Sequence, residues 1–357
     1  MRIASDISQI SHTPYATGVQ RVVVETHKNL VEISLQKGDL FYGLNLSKIP
    51  PTTKNTYIWT DPLIRNQINK LTDVDIVLAL DANINCLSEV YNSEKTKAKI
   101  FALVYDVLPI TNPEWFTLQN RPNYHLEFRF YLMKLLKIAD YLITTSSDTA
   151  DAIENLNWNS KAKKVKVIPL GSFVDGQPRK FPNKSRDEKT INIISVNTVE
   201  PRKGHVDILD AIEILNHKRE SYRLTFVGKK GWDSDHLVDQ ILNHPGYNKY
   251  LFWKSNLNDY DLLREYESSH ISINASRGEG FGLTIEESLA HGLKVVARDI
   301  NVFKERPNPN IYYFSGAGHE IANAIIKATE SSYIANSRIR TMKDFAVDLY
   351  RFIENEA

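Results

Sequence analysis

The chain has 357 residues, of which 42% are hydrophobic and 24% charged, and its formal net charge is +1. These proportions are typical of a globular protein with room for two domains, and the charge gives no support for nucleic-acid binding. One cysteine, Cys86, excludes an internal disulfide framework and suits a reducing compartment. Without a signal peptide or a transmembrane run, the sequence predicts a soluble, cytoplasmic protein. Peripheral contact with the inner face of the membrane stays open.

The chain begins with a weak strand pattern in its first ten residues, and a turn-rich loop leads from there into a helix. The loop holds a single glycine, Gly18, and the G-x-G-x-x-G pattern of dinucleotide-binding folds is absent. From the pattern alone, Gly18 fits an ordinary strand-to-helix turn as well as a ligand-binding loop.

Two short apolar runs, Asp75–Leu80 and Ile100–Tyr105, are typical of buried parallel strands. Asp106 follows the second run directly. Open α/β sheets place ligand-binding groups just past the carboxyl ends of their strands, so Asp106 is a candidate binding residue. An acid at this position could equally cap the following loop.

A longer helix is predicted between Asn123 and Ile138, because apolar residues recur there at helical spacing and basic residues occupy other positions. The apolar positions are Leu126, Phe130, Leu132 and Leu136. Tyr141–Thr145 predicts a further strand, and Ser147 after it is a good cap for the next helix.

The composition changes at residues 173–190, which are rich in Gly, Pro, Asn and charge and are predicted to be a linker. They separate an N-terminal domain, residues 1–172, from a C-terminal domain, residues 191–335, and a last helix is predicted in residues 336–357. Strands alternate with helices after the linker, which predicts a parallel, doubly wound sheet.

Two adjacent cations, Arg202 and Lys203, follow the first strand of the second half and precede a predicted helix. Cations at such a place suit a diphosphate, although a surface pair is the more common fate of these residues. Asp233 and Asp235 form a D-x-D pattern that we interpret as a helix start, because acids favour a helix N-terminus.

The stretch from Ser272 to Asp299 predicts a strand, a loop with three glycines, a helix and a second strand. Backbone N–H groups of such a loop and helix start could bind an anionic, hydroxyl-rich ligand, with Glu279 and Glu287 beside it. A capping box from Thr284 to Glu287 would explain the same residues without a ligand.

The segment Glu279-Gly-Phe-Gly-Leu-Thr-Ile-Glu-Glu287 resembles the E-x7-E signature of family 4 glycosyltransferases. Glu200-Pro-Arg-Lys-Gly-His205 is similar to the same family, as is the helix, glycine stop and strand that continue to Val296. The chain departs from the pattern at Thr284, where the family usually has proline, and at Tyr105, where it has histidine.

This resemblance implies an α/β fold of the GT-B type, with two Rossmann-like domains whose parallel sheets face across a cleft and a last helix that crosses back to the first domain. It implies that Lys203, Glu279 and Arg202 serve catalysis. It also implies donor-binding and acceptor-side residues and no metal or cofactor. The donor-binding residues are Glu287, Gly280, Phe281, Gly282, Leu283, Thr284 and Gly18, and the acceptor-side residues are Asp106 and Tyr105.

The implied activity is the retaining transfer of a sugar from a nucleoside diphosphate sugar to a hydroxyl group. By the same resemblance, the acceptor is a bacterial surface glycan or its lipid-linked precursor. The alternative is a catalytically silent, glycosyltransferase-like binding or assembly subunit. Loss of Lys203, Glu279 or Glu287 would have favoured that alternative, and all three are present.

Overall fold

The computed structural model describes residues 1–7, 18–44, 67–68, 74–81, 97–116, 121–162, 165–174, 190–217, 221–334 and 338–357. Cys86 and residues 175–189 of the predicted linker lie outside these ranges. The chain divides into two compact units. The first consists of Met1–Thr111, His125–Phe173 and Arg340–Ala357, and the second of Asn112–Tyr124 and Val174–Ile339. No pattern in the sequence indicated that Asn112–Tyr124 groups with the second half.

The first unit contains a parallel sheet of seven strands in the described ranges. They are Arg2–Asp6 (β1), Leu40–Leu44 (β2), Gln67–Ile68 (β3), Ile76–Ala79 (β4), Lys99–Val104 (β5), Tyr141–Thr144 (β6) and Val165–Val167 (β7). Their order is β3-β2-β1-β4-β5-β6-β7. The central strands β4 and β5 are almost wholly buried, which is why their sequences are continuous apolar runs.

Helices cover this sheet and also bring the chain's end into the unit. They are Gly18–Lys37, Leu108–Thr111, Tyr124–Ile138, Ser147–Asn155 and Met342–Glu356. The last of them packs against the first, and Lys37 of the first helix donates to Glu354 of the last at 3.0 Å. Thr341 begins the last helix with a capping box, in which its hydroxyl accepts from the Asp344 N–H at 3.3 Å.

The second unit contains a parallel sheet of six strands, again counting only the described ranges. They are Thr190–Val196 (β8), Ser221–Val227 (β9), Leu251–Lys254 (β10), Ile271–Asn274 (β11), Lys294–Arg298 (β12) and Ile311–Phe314 (β13), in the order β10-β9-β8-β11-β12-β13. The helices between them include His205–His217, Asp235–Leu242, Asp259–Ser268 and Leu283–Ala290, and the helix Gly318–Glu330 follows β13. The predicted α/β class with a parallel sheet in each half is confirmed.

One local prediction in the first unit is wrong. Ser146, not Ser147, caps the helix Ser147–Asn155, because its hydroxyl accepts from the Thr149 N–H at 3.2 Å. In the helix Tyr124–Ile138, which was predicted, two of the four apolar positions found at helical spacing face outward, with Leu126 42% and Phe130 63% exposed. The buried side of this helix consists of Phe128, Tyr131, Leu132, Leu135 and Leu136.

Candidate functional site

The site lies where the chain leaves two neighbouring strands, β8 and β11, whose parallel pairing brings both carboxyl ends to one sheet edge. After β8, a single 3-10 turn, Pro201–Lys203, presents the two cations. Gly204 then takes φ +70° and lies so close to the chain after β11 that an added Cβ would stand 2.5 Å from the Ala275 carbonyl oxygen. Only glycine permits this approach. It holds the loop with Arg202 and Lys203 (the cation loop) against the loop with Gly278, Gly280 and Gly282 (the glycine loop).

The two cations share one carboxylate. Lys203 Nζ donates to Glu279 Oε1 at 2.5 Å, and Arg202 Nη1 donates to Glu279 Oε2 at 3.2 Å. Arg202 Nη1 also donates to the Gly278 carbonyl at 2.7 Å, and its Nε forms an ion pair with Glu200 Oε1 at 2.7 Å. The side chains of Lys203, Arg202 and Glu279 are only 10%, 13% and 14% exposed. The predicted catalytic residues are therefore brought together as one buried ion-pair network.

Charges inside this network control the protonation of its members. Burial alone would raise the pKa of Glu279, but Lys203 and Arg202 outweigh it and lower that pKa to about 2. Burial raises the pKa of Glu200, against the opposing effect of Arg202 and Lys203. Burial and the charge of Lys203 lower the pKa of His205 to about 4. At neutral pH, Glu279 is thus ionised and His205 is neutral.

A glycine in the left-handed region ends the loop and begins the helix Leu283–Ala290. Gly282 has φ +92°, and an added Cβ there would meet the ring of Phe303 at 2.7 Å. Thr284 lies inside the helix, where its hydroxyl donates to Asn274 Oδ1 at 2.5 Å. The loop is therefore tied to the end of β11, with the first helical N–H groups at the same sheet edge.

Glu287 lies one turn into this helix and is 7% exposed. Tyr266 donates its hydroxyl to Glu287 Oε2 at 3.1 Å, and the Tyr266 ring stacks on His291 with centroids 4.6 Å apart. The alternative of a capping box from Thr284 to Glu287 is wrong, since the helix begins at Gly282 without a side-chain cap.

Arg306 binds the glycine loop through the Phe281 carbonyl, which the sequence did not suggest. Its Nη2 donates to the Phe281 carbonyl at 2.6 Å, its Nε donates to Glu286 Oε1 at 2.8 Å, and its guanidinium lies 3.7 Å from the Phe281 ring centroid. Anchoring the Phe281 carbonyl fixes the plane of the peptide bond between Phe281 and Gly282, and with it the direction of the Gly282 N–H. Glu286 resembled a surface acid in the sequence, and no motif linked it to an arginine 20 residues later.

An aromatic pair lies beside Arg202, formed by Phe116 of the segment Asn112–Tyr124 and Trp232, and the sequence did not suggest this either. Phe116 stacks on Trp232 with centroids 5.7 Å apart, and Trp232 donates its indole N–H to the Trp115 carbonyl at 2.9 Å. The guanidinium of Arg202 lies 6.0 Å from the Phe116 ring centroid, within the range of a cation–π contact.

Three predicted site residues belong to the first unit. The Tyr105 hydroxyl donates to the Leu80 carbonyl at 2.9 Å, and burial raises its pKa well above the usual value. Asp106 Oδ1 accepts from the Leu108 N–H at 3.1 Å, at the start of a short helix. Gly18 is the exposed first residue of its helix. The predicted contacts of these residues with donor and acceptor stay predictions.

The part of the chain that the structure describes also bears on membrane-spanning helices and on metal sites. None of its helices there combines the length and the apolarity needed to cross a bilayer. Within the same ranges, no three His, Cys, Asp or Glu side chains come together as ligands of a metal ion. The D-x-D pattern is a helix start, as predicted, since the helix begins at Asp235.

A comparison with known protein families finds a match that lies almost wholly in the second unit. Residues 176–342 match the family of glycosyl transferases, group 1. The group 1 match contains the cation loop, the glycine loop, Glu287 and Arg306. Phe116 lies outside it.

Curated relatives extend the likeness to most of the chain. The serotype-specific mannosyltransferase WbdA of Escherichia coli is 30% identical over 352 residues, which are 91% of this chain and 42% of WbdA. The O-antigen chain mannosyltransferase B of Escherichia coli is 31% identical over 198 residues, 52% of this chain and 51% of that protein. The chain thus spans about half the length, or less, of these relatives.

Solved structures share the fold. Anabaena Alr3699/HepE in complex with UDP and glucose superposes with a TM-score of 0.70 at 15% identity, over 99% of both chains. Sucrose-phosphate synthase from Thermosynechococcus elongatus has a TM-score of 0.67 at 14% identity, again over 99% of both chains. At such identities the likeness establishes the fold alone, and it confirms the predicted GT-B class.

Proposed function

We propose that this chain is a retaining glycosyltransferase that moves a sugar from a nucleoside diphosphate sugar to a hydroxyl group of a glycan or lipid-linked glycan. The observation that carries the proposal is the sharing of Glu279 by Arg202 and Lys203 at a sheet edge, beside a glycine loop and a helix start. The group 1 match over these residues and the names of the relatives support it. Those names make mannose the first sugar to test.

The cations would hold the donor diphosphate and stabilise the charge that grows on it as the glycosidic bond breaks. Arg202 is already fixed by Glu200, by the Gly278 carbonyl and by Glu279, so it need not reorganise during the reaction. The N-terminal end of the helix Leu283–Ala290 adds free N–H donors and positive potential at the same edge.

The carboxylates would bind hydroxyl groups and would not transfer protons. With a pKa of about 2, Glu279 is an acceptor only, suited to the hydroxyls of the donor sugar and to keeping Lys203 in position. Glu287 would accept from the ribose hydroxyls, with Tyr266 holding one of its oxygens from behind. The N–H groups of the glycine loop, fixed through Arg306, would hold the rest of the sugar.

The reaction itself would occur on one face of the sugar. The bond between the anomeric carbon and the phosphate oxygen breaks, the acceptor oxygen bonds to the same carbon, and a phosphate oxygen of the leaving diphosphate takes the acceptor's proton. This differs from glycosidases, in which a pair of carboxyl groups acts as acid and nucleophile. Asp106 and Tyr105 are proposed at the acceptor side, and Gly18 at the donor.

The test uses the purified chain and a panel of nucleotide sugars, GDP-mannose, UDP-glucose, UDP-galactose and UDP-N-acetylglucosamine. The true donor is expected to raise the melting temperature, because a ligand that binds only the folded state stabilises it. Transfer to a mannose oligosaccharide is then measured, and the configuration of the new bond is read by NMR.

Variants decide the site assignment. Lys203→Ala is expected to lower transfer by about 100-fold or more, as loss of a charge-stabilising group does. Glu287→Ala is expected to lower transfer by weakening donor binding, because it removes the carboxylate that accepts from the ribose hydroxyls. Lys254→Ala is the matched control, because Lys254 also forms a 2.5 Å ion pair in the second unit, with Glu265. Near wild-type rates in both site variants, or a product of inverted configuration, would contradict the proposal.

A further inference from the structure

The outward side of the helix Tyr124–Ile138 is apolar along its middle. Leu126 and Phe130 are 42% and 63% exposed, and Met133 beside them is half-buried. At about 100° per residue, these three side chains fall within an arc of roughly 60°. The opposite side is packed into the first unit through Phe128 and Leu132. The helix is therefore apolar on two faces, of which one is unburied in the described ranges.

Basic residues flank the outward strip on the same helix. Arg129, Lys134 and Lys137 are all exposed, and the helix carries a single acid, Glu127, against these three cations. By helical geometry Arg129 lies on one side of the strip and Lys134 on the other, with Lys137 at its end. We call the residues Leu126, Arg129, Phe130, Met133, Lys134 and Lys137 the apolar–basic face.

Neighbouring residues extend the apolar–basic face. The guanidinium of Arg129 lies 5.3 Å from the ring centroid of Trp158. Exposed Lys161 follows closely, and its N–H donates to the Leu136 carbonyl at 2.8 Å. The acid at this end, Asp140, is paired with Lys161 at 2.7 Å. A tryptophan beside a basic, apolar surface is the composition of a membrane interface.

We propose that the apolar–basic face binds the surface of an anionic lipid bilayer. The strip would enter the headgroup region while the cations contact anionic headgroups, as amphipathic interfacial helices do. Charge argues against a second copy of the chain as the occupant, because a two-fold contact would set these cations against themselves. The inference goes beyond the proposed function, and its test needs no sugar transfer.

Vesicle sedimentation tests the proposal directly. The probes are vesicles of phosphatidylcholine alone and vesicles with about 30% phosphatidylglycerol, an anionic lipid. The intact chain is expected to bind only the anionic vesicles, and about 0.5 M salt should release most of it, because salt screens headgroup charge. Binding that is equal on both kinds of vesicle, or absent from both, would overturn the proposal.

Four variants locate the face. Leu126→Ser with Phe130→Ser is expected to weaken binding about tenfold, since both apolar side chains leave the bilayer. Lys134→Gln with Lys137→Gln should weaken it about 25-fold, or about fivefold for each charge. The controls change equally exposed residues elsewhere in the first unit, Leu35→Ser for the apolar pair and Arg351→Gln for the basic pair.

Because all these positions are exposed, each variant is expected to keep the wild-type melting temperature within a few degrees. Equal loss of binding in the controls and in the face variants would refute the assignment. Self-association of wild-type protein that Leu126→Ser with Phe130→Ser abolishes, without vesicle binding, would assign the face to a second copy and also overturn the proposal.

Discussion

Replacing Lys203 with methionine perturbs the ion-pair network at its shortest contact. Methionine keeps much of the length and apolar volume of lysine and removes only the charge and the hydrogen bond to Glu279. Glu279 then keeps Arg202 as its cation at 3.2 Å, in a place where it is 14% exposed. We therefore expect the variant to fold with a poorly compensated buried carboxylate.

The size of the effect follows from the pKa of Glu279. A fall from 4.5 to about 2 means that the folded protein favours the ionised form by at most about 3 kcal/mol at neutral pH, at 1.36 kcal/mol per unit. Lys203 makes the larger contribution to that fall and Arg202 the smaller. The variant should therefore lose about 1–2 kcal/mol of stability in the second unit, below the ~3–5 kcal/mol of a fully orphaned buried charge.

Hydrogen exchange of a peptide that covers β11 measures the opening free energy of this unit at pH 7. Lys254→Met is the control, because its pair with Glu265 has the same 2.5 Å length but Lys254 is 42% exposed, and we expect less than about 1 kcal/mol. Adding Glu279→Gln to Lys203→Met should restore stability, since it removes the uncompensated charge. Equal losses for the two lysines, or a further loss in the double variant, would refute the reasoning.

Three other predictions rest on the same site. The contribution of Glu279 to stability should be complete above its unfolded pKa of 4.5 and be lost as the pH drops from 4.5 toward 2, where Glu279 must be protonated, and urea midpoints should show this part of the acid destabilisation missing in Glu279→Gln. Arg306→Lys should raise the donor KM about tenfold and change kcat less, because lysine cannot reproduce the paired hydrogen bonds of the guanidinium to the Phe281 carbonyl and to Glu286. An unchanged KM would contradict this. Gly204→Ala should cost about 2 kcal/mol or more in urea unfolding, through its φ of +70° and the contact with Ala275, whereas a cost below ~0.5 kcal/mol would show the approach is not tight.

The alternation of strands and helices in the second half could be predicted because the spacing of apolar residues and the glycines and prolines at turns are local properties of the sequence. That Lys203 and Glu279 serve the same site was implied only through the resemblance, and their direct contact follows from the adjacency of β8 and β11. Three strands, β2, β3 and β13, were missed. The strand β3 has only two residues. Tyrosines and a glycine make the sequences of β2 and β13, LFYGL and IYYF, less uniformly apolar than buried parallel strands usually are.

The rest of the site depends on tertiary contacts that no local pattern encodes. Arg306 reaches Phe281 from 25 residues away, and Phe116 reaches Trp232 across more than a hundred residues. The core face of the helix Tyr124–Ile138 could not be predicted for a related reason. The helix is apolar on two sides, so its spacing alone could not decide which side is buried. The capping-box alternative failed because a left-handed glycine, Gly282, begins the helix instead.

The central claim is that Arg202 and Lys203 form the binding site of a nucleoside diphosphate. Isothermal titration of GDP and UDP into the wild-type chain, Lys203→Met and Lys254→Met tests this claim most directly. We predict that the better nucleotide loses at least about tenfold in affinity in Lys203→Met, as expected for a lost charge-assisted hydrogen bond, and keeps its affinity in Lys254→Met. Equal affinities in all three proteins, or no binding of either nucleotide to the wild type, would contradict it.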